Sequence, residues 1–229
     1  MGTNLNIDRL QKELEARLID SGAGFVGFAD ISDMKIPDCE GYPAAISICI
    51  PYNSDVIDRL DSDSDAFGKE QDDTYERMED LMELCRGYIE QEGFSAKTHF
   101  SKNLPGLRST FSHKMAATKA GLGWIGKNCL LISYEFGCRV RLATVLTDVP
   151  FISGTPVTES ECGDCVECVE ACTYHAIKGK NWYPGIERDN LLDAFLCHEK
   201  REEYVYKPGY KHPCGLCLKA CPVGKRERK

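Results

Sequence analysis

The sequence predicts an α+β fold in which a sheet with packed helices precedes a small cysteine-rich domain. Helical and strand patterns alternate as far as residue 147, whereas eight of the thirteen cysteines lie between Cys162 and Cys221. Pro150 and Pro156 mark a linker between these two regions. The 229 residues suffice for one domain of about 150 residues and a small appendage. We therefore place the first domain at residues 1–152 and the second at residues 153–229.

Local patterns predict the individual elements. Ile7, Leu10, Leu14 and Leu18 recur at helical spacing before Gly22, which predicts an amphipathic helix over residues 7–21. The other predicted helices cover residues 73–92, 110–120 (with Ser109 as N-cap), a short part of 166–177, and 190–204. The predicted strands cover residues 25–29, 44–50, 95–100, 129–133 and 137–147. The acidic stretch at residues 55–73 is expected to be a solvated loop.

The cysteines of the second domain have the spacing of an iron–sulfur protein. The first four read C-x2-C-x2-C-x3-C, as in the bacterial ferredoxins that bind 4Fe–4S clusters. The last three repeat the end of that pattern and are followed by Pro222, with one further cysteine upstream. In such ferredoxins the last cysteine of each run binds the cluster of the other run. The same arrangement here predicts a ferredoxin-like domain with two clusters, one on Cys162, Cys165, Cys168 and Cys221 and one on Cys172, Cys197, Cys214 and Cys217.

Zinc and disulfides are the alternatives to iron–sulfur clusters. Zinc sites combine two C-x2-C pairs separated by a spacer, a pattern that four cysteines packed between Cys162 and Cys172 fit less well. Disulfides require export, whereas the N-terminus has neither a basic start nor an apolar run. Thirteen cysteines without an export signal indicate a reducing, cytoplasmic location.

Composition limits the classes of partner. No apolar stretch approaches the roughly 20 residues of a membrane span, so no membrane association is expected. The formal net charge of −8 disfavours nucleic acid, because binding to phosphates depends on Lys and Arg.

Residues 121–126 match the dinucleotide-binding pattern G-x-G-x-x-G, but in the wrong context. That pattern requires a strand before it and a helix after it, whereas here a helix precedes and a strand follows. We therefore expect the glycines to bring a turn close to a bulky ligand or to another backbone segment. The candidate binding residues of this turn are Gly121, Gly123, Trp124, Gly126, Lys127 and Asn128.

The same turn carries a family resemblance. The chain resembles epoxyqueuosine reductases over about residues 24–224, and most specifically at residues 120–128, 130–133, 135–137, 146–148 and the two cysteine sets. The resemblance implies a nitroreductase-like first domain, of the type found in cobalamin-processing proteins. It also implies two 4Fe–4S clusters and a cobalamin lying beside the turn at residues 121–128. A flavin in the same cavity is the alternative cofactor.

Two departures from this family favour another substrate than tRNA. The family has an Asp, the proton donor to the epoxide, before the helix that leads into the turn, whereas no Asp lies between Gly93 and Thr147 here. The family also continues beyond its clusters into a region that holds tRNA, whereas this sequence stops at Lys229. His113 and Lys114 are the candidate catalytic residues that could replace the Asp.

Two functions are consistent with these patterns. The first is a cobalamin-dependent reductase of a small molecule, supplied with electrons by a donor such as a ferredoxin or a flavodoxin. The second is an electron-transfer protein, or a reductant for the corrinoid of a partner protein, with no substrate of its own.

Overall fold

The computed structural model describes residues 6–99, 107–205 and 214–225. The helices are α1 (Ile7–Asp20), α2 (Ser54–Asp58), α3 (Ser64–Gln91), α4 (His113–Lys119), α5 (Glu167–Glu170), α6 (Ala194–Val205) and α7 (Leu216–Ala220). The strands are β1 (Phe25–Asp30), β2 (Ala44–Pro51), β3 (Ala96–His99), β4 (Gly123–Ile125), β5 (Leu131–Ser133) and β6 (Val140–Thr147). The predicted mixture of helices and strands is thus confirmed.

Packing divides the chain into two units, neither of which is continuous in sequence. The first unit contains residues 1–50, 76–122 and 141–157, and the second contains residues 51–75, 123–140 and 158–229. Two segments that precede residue 152 therefore pack with the cysteine segments. The division into a corrinoid domain at residues 1–152 and a cluster domain at residues 153–229 stays a prediction about cofactor binding.

The first unit is built around a four-stranded sheet that α1 supports. The four strands have the order β1-β2-β6-β3, and β1–β2 and β3–β6 are antiparallel pairs. In α1, Leu10, Leu14 and Leu18 are buried, and the Asn6 side chain accepts a hydrogen bond from the Arg9 N–H at 3.1 Å. This helix confirms the prediction for residues 7–21, because burial follows the apolar periodicity.

Two helix starts differ from the predictions. Helix α3 begins at Ser64, inside the predicted acidic loop, where the Asp63 carboxylate accepts the Ala66 N–H at 3.0 Å. Acidic side chains stabilise a helix start by satisfying its free N–H groups, which explains why this acidic stretch is helical. Helix α4 begins at His113 and is capped by Ser112, whose Oγ accepts the Met115 N–H at 3.3 Å, rather than by Ser109.

The second unit contains a short hairpin that joins the glycine-rich turn to the next predicted strand. Strands β4 and β5 pair antiparallel, with Gly123 opposite Ser133 and Ile125 opposite Leu131. The predicted turn is therefore partly a strand. Helix α4 precedes it and β5 follows it, which is the order that argued against a dinucleotide site.

A buried arginine also stabilises the second unit. The buried Arg139 guanidinium donates to Asp58 Oδ1 at 2.6 Å and to the Ser54 carbonyl at 3.3 Å, which fixes α2 to the segment before β6. Among the described helices, none has the length and apolar character needed to cross a bilayer.

Candidate metal centre

Four of the predicted ligands surround one cavity in the second unit. The cavity has a volume of about 70 Å³, and its lining includes Cys162, Cys165, Cys168 and Cys221 together with Lys127 and Asn128. Three of these cysteines come from one short run, and Cys221 comes from the end of the other run. The structure thus brings together the four cysteines that the crossed spacing assigns to one cluster.

The protonation of these thiols depends on their neighbours. Burial, followed by the nearby Cys162, Cys221 and Cys165, raises the pKa of Cys168 to about 11, because neighbouring thiolates repel one another. At Cys221, a hydrogen bond from the Cys138 thiol outweighs burial and, with further bonds to the backbone, lowers the pKa to about 7. Metal ions relieve such repulsion, since they bind the thiolate form.

The remaining four cysteines also lie near one another. Burial raises the pKa of Cys217, and so do the nearby thiols of Cys214, Cys197 and Cys172 and, from the first set, Cys168. Helix α6 carries Cys197, whose N–H donates to the Asp193 carbonyl at 3.0 Å. Helix α7 carries Cys217. Cys197, although distant in sequence from the others, thus lies close enough to influence Cys217.

The four cysteines around the cavity surround a space, as the ligands of a cluster do. In the described ranges, no three His, Cys, Asp or Glu side chains converge closely enough to hold one metal ion. The four thiolates around a 4Fe–4S cluster each bind a different iron, so they surround a body instead of meeting at a point. A cavity lined by four cysteines has this arrangement.

The side chains of the glycine-rich turn contact the cysteine segments. The Trp124 indole Nε1 donates to Cys162 Sγ at 3.3 Å. Lys127 Nζ donates to the carbonyl oxygens of Gly163, at 2.8 Å, and Cys165, at 2.9 Å. Asn128 Nδ2 donates to the Cys217 carbonyl at 3.4 Å. These three side chains were predicted to bind a corrinoid, and that assignment stays a prediction.

Of the glycines in the turn, Gly121 and Gly123 lie against backbone atoms and Gly126 lies against side chains. A Cβ atom on Gly123 would stand 2.0 Å from the Ile132 carbonyl oxygen, within the β4–β5 pair. On Gly121, whose φ is +80°, it would stand 2.7 Å from the Thr155 carbonyl oxygen in the first unit. On Gly126 it would meet Asn128 Oδ1 at 2.8 Å. Each glycine therefore permits a close approach within the chain.

Of the candidate catalytic pair, His113 is half-buried in the first unit. Its Nδ1 is 2.8 Å from Thr144 Oγ1, and the centroid of its ring is 5.4 Å from that of His99. Burial, followed by the charges of His99 and Lys114, lowers the pKa of His113 to about 4. The imidazole is therefore neutral at pH 7. Lys114, the other candidate, is partly exposed.

Cys138 is a residue of this centre that the sequence patterns did not single out. Its side chain is buried, hydrogen-bonds to Cys221, and lies 3.5 Å from the Leu218 carbonyl oxygen. Cys138 stands far from both ligand runs in sequence, so ligand spacing gives no signal for it. The one local indication that Cys138 belongs to this centre is its position directly after residues 135–137, which resemble those of epoxyqueuosine reductases.

Sequence comparison identifies relatives over half of the chain. An epoxyqueuosine reductase of Bacillus anthracis is 36% identical over 119 residues, which cover 50% of this chain and 30% of that protein. The epoxyqueuosine reductase of Bacillus subtilis (strain 168) is 32% identical over 118 residues, covering 50% of this chain and 29% of the relative. The matched segment thus spans less than a third of either relative. No family model matches the chain.

Structural comparison extends the likeness to nearly the whole chain. An epoxyqueuosine reductase crystallised with an epoxyqueuosine-modified tRNA stem loop has a TM-score of 0.65 and 18% identity, covering 96% of this chain and 67% of that one. A catabolic reductive dehalogenase has a TM-score of 0.73 and 20% identity, and the match covers 98% of this chain and 33% of the dehalogenase chain. The chain is therefore epoxyqueuosine reductase-like in sequence and shares its fold with both kinds of reductase.

Proposed function

We propose that this chain is an iron–sulfur reductase that passes electrons through two 4Fe–4S clusters to a bound corrinoid and acts on a small molecule other than tRNA. The observation that carries the proposal is the cavity lined by Cys162, Cys165, Cys168 and Cys221. A 4Fe–4S cluster bound there would accept and release single electrons. The second cluster is assigned to Cys172, Cys197, Cys214 and Cys217. The first three of these thiols raise the pKa of the fourth, so they lie near it.

The exposure of Cys165 favours electron entry on its side of the first cluster. Cys165 is the exposed member of the four, whereas Cys221 is buried. An external donor such as a ferredoxin or a flavodoxin therefore approaches this cluster most closely at Cys165.

The corrinoid is supported by likeness to known reductases. One reductive dehalogenase with a TM-score of 0.70 and 19% identity is described as carrying out B12-dependent dehalogenation. In this chain, the side chains of Trp124, Lys127 and Asn128 point to the cysteine segments, so they do not form a visible cradle for a corrin ring. The corrinoid part of the proposal therefore depends on the resemblance.

Two features support a substrate other than tRNA. No Asp lies between Gly93 and Thr147, where the family has its proton donor, and the chain has a formal net charge of −8. His113, the candidate replacement, is half-buried and neutral at pH 7, so it can offer a hydrogen bond but not the proton of an imidazolium. A substrate that is protonated by solvent after reduction suits this site better than an epoxide that needs a strong local acid.

One observation favours an electron-transfer protein as the second candidate. Three side chains that were predicted to contact a corrinoid are instead hydrogen-bonded to the cysteine segments. A protein that only carries electrons needs the clusters and their surroundings but no corrinoid site. In that case, the chain would reduce a corrinoid held by a partner protein.

Optical titration tests the proposal and separates the two candidates. Protein purified without oxygen is titrated with cob(II)alamin, and the visible spectrum is recorded before and after each addition. The reductase account predicts saturable binding, with a spectrum altered by a change in axial coordination. Assembled clusters with no cobalamin binding would support the electron-transfer candidate, and absence of iron–sulfur absorption would contradict both.

A further inference from the structure

The geometry points to Lys127 and Trp124 as positioning residues that set the reduction potential of the cluster held by Cys162, Cys165, Cys168 and Cys221. This inference rests on the proposed function, because it requires that cluster to form. It gives the glycine-rich turn a role in electron transfer that is independent of any corrinoid.

Lys127 carries a buried positive charge without a carboxylate partner. Its side chain is 5% exposed, and its ammonium group donates to the Gly163 and Cys165 carbonyl oxygens. Among the described residues, no carboxylate oxygen lies within ion-pair distance of this ammonium. A buried charge is costly unless a partner of opposite sign compensates it, and two neutral carbonyl groups do so only in part.

The compensating anion is supplied by the cavity that Lys127 lines. Four cysteine thiolates outweigh the positive charge of a 4Fe–4S core, so the bound cluster is an anion. Lys127 and the four cysteines line the same cavity of about 70 Å³, together with Glu161, whose carboxylate accepts a hydrogen bond from the Tyr134 hydroxyl. The ammonium thus lies beside the place where negative charge collects, and its bonds to Gly163 and Cys165 also hold the ligand loop in position.

Trp124 adds a direct hydrogen bond to one of the ligand sulfur atoms. Its indole is 3% exposed, and Nε1 donates to Cys162 Sγ at 3.3 Å. The indole ring also packs edge-on against Tyr134, with ring centroids 5.5 Å apart, which fixes its orientation. Hydrogen bonds to the sulfurs, local charge and solvent exposure are the factors by which a protein adjusts a cluster potential.

Both contacts act in the same direction. Reduction adds one negative charge to the cluster, and a buried cation and an N–H donor stabilise that added charge. Lys127 and Trp124 therefore raise the reduction potential of this cluster.

Reduction potentials measured in variants test the inference. Lys127→Gln removes the charge, and Trp124→Phe keeps an aromatic ring but removes the N–H donor. Each protein is titrated with dithionite without oxygen, and the signals of the two reduced clusters are followed by EPR. Two control variants lie in the same unit: Lys180→Gln removes an exposed charge, and Tyr183→Phe removes the hydroxyl of an exposed ring.

We expect each test variant to shift the potential of one cluster to more negative values and to leave the other cluster and both controls unchanged. If Lys127→Gln loses iron, the potential of Trp124→Phe becomes the deciding measurement, because this variant keeps an aromatic ring and the Lys127 contacts. Unchanged potentials in a fully loaded Trp124→Phe protein would overturn the inference while leaving the proposed function intact. A wild-type protein that assembles no cluster would overturn both.

Discussion

Gly137 lies directly against Val223, just after the last predicted ligand. A Cβ atom on Gly137, whose φ is +57°, would stand 1.9 Å from the Val223 carbonyl oxygen. The contact is reciprocal, because a Cβ atom on Gly224 would meet the Phe136 carbonyl group at 2.4 Å. The two glycines therefore let the segment after Cys221 pack onto the segment before Cys138, and this packing positions the fourth thiol of the cavity.

Gly137→Ala should selectively damage the cluster that uses Cys221. The added methyl group forces the Val223 backbone to move, and Cys221 moves with it. We expect the variant to retain about half of the wild-type iron, since one of the two clusters would be lost. Iron analysis combined with EPR measures this loss.

The control for this change is Gly185→Ala in the same unit. Gly185 has a φ of +90°, but a Cβ atom there would have no neighbour within 4 Å. It therefore introduces backbone strain of about 1–2 kcal/mol without a clash. Equal iron loss in both variants would show that strain, and not the contact with Val223, is responsible.

Cys197→Ala should remove the other cluster. Cys197 lies on α6, apart in sequence from its partners, and its thiol influences the pKa of Cys217. We expect the EPR signal of one cluster to vanish while that of the cluster on Cys162, Cys165, Cys168 and Cys221 persists. Cys39→Ala, a buried thiol of the first unit, is the matched control and should keep both signals. Full iron content in Cys197→Ala would remove Cys197 from the ligand set.

The half-buried imidazole of His113 should stay neutral throughout the physiological range. Its pKa is lowered from 6.5 to about 4, with burial as the main cause. Since the folded pKa lies below the unfolded one, the neutral imidazole favours folding above about pH 6.5, and this contribution is lost as the pH falls towards 4. NMR titration of the imidazole should find no protonation between pH 6 and pH 8. A midpoint near 6.5 would show an exposed side chain.

Epoxyqueuosine-modified tRNA should not be a substrate. The reasons are the absence of Asp between Gly93 and Thr147 and the formal net charge of −8. The measurement is the queuosine content of tRNA from cells that lack their own reductase and express this chain. An unchanged content is expected, with an authentic epoxyqueuosine reductase as the positive control. Restored queuosine would make this chain a tRNA-modifying enzyme.

Much of this arrangement follows from local sequence patterns. The apolar spacing of Leu10, Leu14 and Leu18 predicts α1 because a helix has one buried face. The cysteine spacing likewise predicts the crossed set around the cavity, because ligands of one cluster recur at short, fixed intervals. In both cases, neighbours in the structure are close in sequence or repeat a known pattern.

Contacts between distant segments were not predictable in this way. The bonds from Lys127 to Gly163 and Cys165 join segments on either side of β6, and no periodic pattern in the sequence indicates them. The helical start of α3 was missed because its acidic residues resemble those of a solvated loop, although Asp63 caps the helix. From the sequence, the Trp124 and Lys127 side chains are assigned to a flat ligand. An aromatic ring and a cation are suited to binding such a ligand and equally to contacting the cysteine segments.

Iron and acid-labile sulfide analysis of protein purified without oxygen tests the central claim most directly. Eight cysteine ligands in two crossed sets predict about eight iron and about eight sulfide per chain. The reduced protein should then show EPR signals from two clusters. One zinc ion per cysteine set with no sulfide would contradict the account, because the cysteines would then form structural sites that cannot carry electrons.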